Sequence, residues 1–188
     1  MTSPSATYAF TLYFDDVTTE QIRALTAELA GITKNDYMVA NSVPPHLTLG
    51  MFHAEGSELE NLKELFCEFV SKAKLEAGGL DFPVAFDGAD NFLDKVIFLK
   101  PGASCRPQLL RLNELLHQLF LPHFEPADNR NYLPGNWVPH VALAVKLSHE
   151  AFEKGTEFLK TAKGITFGNC AKVSSIGLAR CNPYTPVL

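Results

Sequence analysis

Two spacings of hydrophobic residues alternate along the chain and divide it into strands and helices. Tyr8 to Phe14 (YAFTLYF) is rich in aromatic and β-branched residues and predicts a strand. Asp15 and Asp16 end it, and Thr18 or Thr19 can cap a helix running to about Ala30. That helix gathers Ile22, Leu25 and Leu29 near one face, with Ile32 just beyond, and turns Glu20, Arg23 and Ala27 to the other. A polar loop with Asn35, Asp36, Asn41 and Pro44-Pro45 leads into a short strand that starts at His46. Helical spacing returns in Leu59, Leu62, Leu65, Phe66 and Phe69, predicting a helix over 58–75 that Gly78-Gly79 stops. Strands follow at 82–86 and 96–99, joined by a turn around Asp87, Gly88 and Asp90. Pro107 opens a helix striped by Leu109, Leu112, Leu116 and Phe120, which Pro122 breaks. The polar stretch 125–136 is long for a connection and suggests a rim or lid. A second histidine strand follows, then a helix capped by Ser148 and running to about Ala162, then strands near 165–167 and 172–180.

The order of elements therefore repeats, and a motif repeats with it. Pro45-His46-Leu47-Thr48-Leu49 is matched by Pro139-His140-Val141-Ala142-Leu143, about half the chain later. Residues two apart on a strand share a face. His46 and Thr48 thus project together while Leu47 and Leu49 turn to a core; His140 and Ala142 stand likewise against Val141 and Leu143. Two polar walls at equivalent points of a duplicated chain predict a cleft between two related lobes. Nothing resembling a linker separates the halves, so residues 1–188 are expected to form a single bilobal domain.

Composition narrows the classes of function. The chain is 46% hydrophobic and 20% charged, as expected of a soluble globular protein. A net charge of −5 argues against a protein that coats long nucleic acid, but leaves room for a phosphorylated ligand in a local pocket. Cys67, Cys105, Cys170 and Cys181 show neither CxxC nor zinc-ligand spacing, and reduced thiols are the expectation. The first residues do not read as a secretory signal, and no run approaches the ~20 apolar residues of a membrane span. A cytoplasmic protein with no membrane partner is expected.

Paired histidines suit phosphodiester cleavage. The reaction needs a base for the attacking hydroxyl or water and an acid for the departing oxygen. An imidazole of pKa ~6.5 supplies either form near neutrality. In-line displacement places nucleophile and leaving group on opposite sides of phosphorus, which two histidines on facing walls would match. The Thr48 hydroxyl could donate to a non-bridging oxygen; position 142 offers no such donor.

His-x-Thr in one half and His-x-Ala in the other resemble the 2H phosphoesterase superfamily, in particular its 2′-5′ RNA ligase-like and cyclic phosphodiesterase proteins. The resemblance extends over nearly the whole chain. It implies an α+β, bilobal duplicated fold, two antiparallel sheets facing a central cleft with helices on the outside. It implies metal-independent cleavage of 2′,3′-cyclic or 2′,5′-linked nucleotide or RNA phosphodiesters, with no cofactor. His46 and His140 match the catalytic pair and Thr48 the phosphate-binding hydroxyl. Ala142 departs from the commoner threonine or serine. Val138 and Pro139 stand where many members carry an arginine.

Each candidate has an ordinary alternative. Thr11 and Tyr13, opposite Phe10 and Phe14 on the first strand, either line the cleft or pack. Tyr132 and Trp137, just ahead of the second motif, either stack on a base or pack. Lys100 and Arg180 either steer phosphate or are solvated strand ends. His53, His117, His123 and His149 have no partner pattern, and a zinc site on His46 and His140 lacks further ligands. The expected partner is a nucleotide or RNA end bound by a monomer. The alternative is a weakened, non-cleaving nucleotide- or RNA-binding module of the same fold; an acyl-transfer hydrolase finds no GxSxG elbow.

Overall fold

Strand alternation sets the first layer. In β1 (Ala6–Phe14), Phe10, Leu12 and Phe14 turn to an aromatic core, and Thr11 and Tyr13 turn the other way. The computed structural model describes residues 5–76, 82–161 and 171–188. After β1 come α1 (Asp16–Thr33), α2 (Tyr37–Ala40), β2 (His46–Ala54), α3 (Leu59–Glu76) and β3 (Phe82–Pro83). The chain continues through β4 (Phe86–Phe92), β5 (Val96–Pro101), α4 (Arg106–Phe120), β6 (Val141–Ala144), α5 (His149–Thr161), β7 (Lys172–Arg180) and β8 (Thr185–Pro186). One antiparallel sheet runs β2-β1-β7-β3, with β8 added to β7; a second runs β4-β5-β6. The α+β class with two antiparallel sheets is thus what the structure shows.

The helices do not stay with the strands that precede them. α4, which links two strands of the second sheet, packs on β2 of the first. Its approach depends on Gly50, where a Cβ would lie 2.7 Å from Leu116 and 3.1 Å from His117. Phe120 of α4 and Phe66 of α3 both meet the Phe10 ring, at centroid distances of 4.5 and 6.1 Å. Conversely α1, which links two strands of the first sheet, lies with α5 over the second. A Cβ at Gly155 of α5 would meet Ile97 of β5 and Leu29 and Thr33 of α1. β7, late in the chain, also crosses over to pair with β1. Halves of the sequence are therefore not halves of the molecule.

Several boundaries differ from the sequence expectation. α1 begins at Asp16, because the Asp15 carboxylate accepts from the Thr18 amide at 2.7 Å and takes the cap that Thr18 or Thr19 was expected to provide. It continues to Thr33, closing on Lys34 in the left-handed region. The second-lobe hairpin turns at Leu93 and Asp94, both at positive φ, and not around Asp87 to Asp90. Those residues belong to β4, where Gly88 at φ 111° lies at a register shift. Ser148 does cap α5, accepting from the Ala151 amide at 3.2 Å. Gly78-Gly79 and the strand expected near 165–167 lie outside the described residues, as does Ala162. Among the described residues no helix is long and apolar enough to cross a membrane.

Candidate functional site

The prolines of the two motifs explain the state of the two histidines. A residue before proline is held extended, which fixes the carbonyls of Pro44 and Val138. The His46 Nδ1 donates to the Pro44 carbonyl at 2.7 Å, and the His140 Nδ1 donates to the Val138 carbonyl at 2.9 Å. A carbonyl can only accept, so in the neutral imidazole the proton sits on Nδ1 and Nε2 remains a free acceptor. Both rings are partly buried. Burial holds the pKa of each below the ordinary value of 6.5. The bonds to Pro44 and Val138 oppose that shift. His140 lies near enough to His46 to depress it further, whereas Asp128 pulls His140 back up.

On the first wall, cross-strand register places Tyr13 opposite His46 and Thr11 opposite Thr48. Immediately beyond, Phe10 pairs with Gly50, so Leu49 is an extra residue in β2. Such a bulge re-aims the side chains beside it. Buried Asn113 of α4 holds it in place: its Nδ2 donates to the Leu49 carbonyl at 2.7 Å and to the Tyr132 carbonyl at 2.8 Å. One amide thus ties the Thr48 strand to the loop that carries Tyr132.

Aromatic rings flank both histidines. Tyr184 is stacked on His46 at a centroid distance of 6.5 Å, and Tyr132 lies tilted by 33° to His140 at 6.4 Å. Phe92 meets His140 edge-on at 4.9 Å, and Phe98 lies at 5.3 Å. The Tyr184 and Tyr13 hydroxyls share a 2.5 Å hydrogen bond. Tyr184 reaches there because the C-terminal segment folds back, its Val187 and Leu188 amides both donating to the Leu178 carbonyl. Gly177 leaves space for the Tyr13 ring, which a Cβ there would strike. Burial pushes the Tyr132 and Tyr184 phenols above their ordinary range, so both stay protonated donors; Thr48 is a hydrogen-bond partner of Tyr132.

His46, His140, Thr48, Tyr13 and Tyr132 are therefore brought together. Thr11 is fully buried beneath them, donating to the Gly177 carbonyl at 3.4 Å. Ala142 pairs with Phe98, partly exposed, and also borders a cavity of about 300 Å³ walled by Thr26 and Ala27 of α1 and by Pro45. Trp137 lies in the core at 4% exposure, so the structure gives it packing and no open ring face. Its indole nitrogen has no partner among the described residues. Tyr184, Phe92, Phe98, Asp128 and Asn113 were not expected at the site. Among the described residues, no three His, Cys, Asp or Glu side chains cluster as metal ligands.

Two antiparallel sheets with helices packed across them define the class of scaffold, and solved structures share it. The chain is similar in fold to E. coli LigT complexed with phosphate (18% identity, TM-score 0.53, covering 99% of this chain and 96% of that one). It is similar to E. coli LigT in its apo form (19%, TM-score 0.51, 99% and 96%) and to a protein described as a phosphoesterase (17%, TM-score 0.53, 97% and 96%). Among curated proteins no sequence match is found. The model of the 2′-5′ RNA ligase superfamily matches residues 14–180, and the chain belongs to that superfamily. Family and fold together support a phosphoesterase-type function.

Proposed function

We propose that this chain is a phosphodiesterase that cleaves 2′,3′-cyclic or 2′,5′-linked nucleotide or RNA phosphodiesters by paired-histidine acid–base catalysis, without a metal ion. The observation that carries the reading is the matched state of the two imidazoles. Each is fixed through Nδ1 to a pre-proline carbonyl, and each Nε2 has no hydrogen-bond partner among the described residues. In the reaction, one Nε2 takes the proton from the attacking water or hydroxyl as its oxygen bonds to phosphorus. The other histidine, protonated, gives its proton to the departing ribose oxygen as that P–O bond breaks. Thr48 donates to a non-bridging oxygen, and the protonated phenols of Tyr132 and Tyr184 add neutral donors beside the two rings. That E. coli LigT, similar in fold, was crystallised with phosphate is consistent with this chemistry. The partner is a nucleotide or RNA end, and the chain acts as a monomer in the cytoplasm.

One observation favours a second reading. Ala142 withholds the hydroxyl that the first motif supplies, as a binding module that no longer cleaves would. Product analysis separates the two. Purified protein is incubated with 2′,3′-cyclic mononucleotides, 2′,5′-linked dinucleotides and RNA ending in a cyclic phosphate. Turnover is expected, and His46→Ala or His140→Ala should lower it at least ~10²-fold. The double variant should lose little more than the worse single one. Near-native turnover in either folded single variant removes that histidine from the mechanism. Binding of all three ligands without product establishes the binding module.

A further inference from the structure

Beside the second motif lies a cavity of about 260 Å³ that the acid–base reading does not use. Lys100, Arg106 and Asp87 line it together with Val138 and Pro139, the two residues before His140. Register locates it relative to the cleft. Leu99 pairs with Val141, the first residue of β6, and Lys100, next along β5, shares the cavity with Val138 and Pro139 of the segment that leads into it. Strand alternation gives Lys100 the face of Phe98, whose ring lies against His140. The cavity therefore borders the two residues that immediately precede His140.

Two cations and one carboxylate line it, and the carboxylate already holds a backbone donor of the same wall. The Asp87 carboxylate accepts from the Ala103 amide at 3.2 Å. Lys100 approaches Asp90 only at 3.9 Å, with both side chains about half exposed, a pairing of little strength. Arg106 is exposed at the first turn of α4. In a chain of net charge −5, two cations bordering one concavity next to a catalytic histidine are a local exception. The volume falls below the ~300–1,000 Å³ of pockets that take drug-sized ligands and suits a phosphate with part of its sugar.

We propose that Lys100 and Arg106 bind a second phosphate, that of the nucleotide flanking the scissile one, so that the substrate is an oligonucleotide end in preference to a mononucleotide. This rests on the phosphodiesterase reading for the position of the scissile phosphate. Two measurements test it separately. In the first, a fluorescein-labelled oligoribonucleotide ending in a 3′-phosphate is titrated with protein over a series of KCl concentrations and followed by anisotropy. Lys100→Gln and Arg106→Gln should each weaken binding about 5-fold and flatten the salt slope by about 0.7, the share of one single-strand phosphate contact. Arg23→Gln, which removes a cation bordering the other cavity, should change neither. In the second, the ratio of kcat/KM for a cyclic-phosphate-ended dinucleotide to that for the cyclic mononucleotide should exceed one and should fall about 5-fold in each cavity variant. Salt slopes unchanged in both variants, or changed equally by Arg23→Gln, overturn the subsite. An unchanged ratio overturns it as well. If no substrate is turned over, the phosphodiesterase reading fails, and the anisotropy slopes still decide the subsite.

Discussion

The tautomer of each site histidine follows from a proline one residue earlier, and pH dependence follows from burial. Both imidazoles are held below 6.5, so both are neutral in the free protein at neutral pH. The proposed mechanism needs one of them protonated, and the fraction carrying one proton on the pair rises as pH falls toward the higher of the two lowered values. The bell in kcat/KM should therefore have its alkaline limb below the 6.5 of an ordinary imidazole. A bound phosphodiester anion favours the imidazolium, so the kcat profile should lie at higher pH than kcat/KM. Coincident profiles centred above pH 7 would contradict this. The hydroxyl asymmetry yields a second test. Thr48→Ala should lower kcat/KM by up to ~10²-fold, the weight of one well-placed donor. Ala142→Thr should give a modest gain, since in the proposed mechanism the Tyr132 phenol is a donor nearby. Abolished turnover in Ala142→Thr with a harmless Thr48→Ala would show that the two walls are not equivalent. At this scale the grouping of the two histidines with Thr48 was legible, because strand alternation and repetition are properties of sequence; Tyr13 and Tyr132, for which packing was an equal expectation, stand beside them. Tyr184 was not legible: its place depends on the chain folding back along β7, which no spacing encodes. Trp137 preceded the motif as Tyr132 did, but on the buried side of its loop.

At the scale of elements, the bulge at Leu49 and the loop before β6 share one support. Asn113→Ala would leave the Leu49 and Tyr132 carbonyls without their donor. Stability should fall by about 2 kcal/mol, the order expected for stranding buried acceptors. kcat/KM should fall as well, because Thr48 and Tyr132 lose their common anchor. Chemical denaturation and steady-state kinetics on the same preparation check both, and full activity with lowered stability would confine Asn113 to a packing role. Helix stripes, the break at Pro122 and the cap at Ser148 were legible as local chemistry. The hairpin turn was misplaced because Asp87, Gly88 and Asp90 carry turn residues into a strand, where Gly88 serves a register shift. Leu93, an apolar residue at positive φ, gives no turn signal.

For the whole molecule, buried neutral histidines set the response to acid. His46, His140 and His117 all have folded pKa values below 6.5, through burial. The unfolded chain therefore binds more protons below about 6.5, and stability rises with pH there. The contribution is fully present above the unfolded value and is lost as pH falls through the folded ones. The melting temperature should decline from pH 7 to 5, before most carboxylates titrate; a flat or rising curve over that interval would contradict the assignment. The duplication was legible as repeated order, but not the exchange of α1 and α4 between sheets, since a stripe of apolar residues does not name the surface it covers.

That exchange bears on what one half could do alone. A chain ending near residue 100 would make β1 and β2 with α1 attached, yet α1 packs on β6 and α5, which come later, and the surface of β2 awaits α4. Such a fragment would expose an apolar sheet face and an apolar helix face at once, and the two fit partners of opposite parentage. A second copy would offer a counterpart to each, one lending the other its helix. The repeat in this sequence thus has the layout of a helix-swapped dimer written into one polypeptide, with the two histidines meeting where the two copies would have touched.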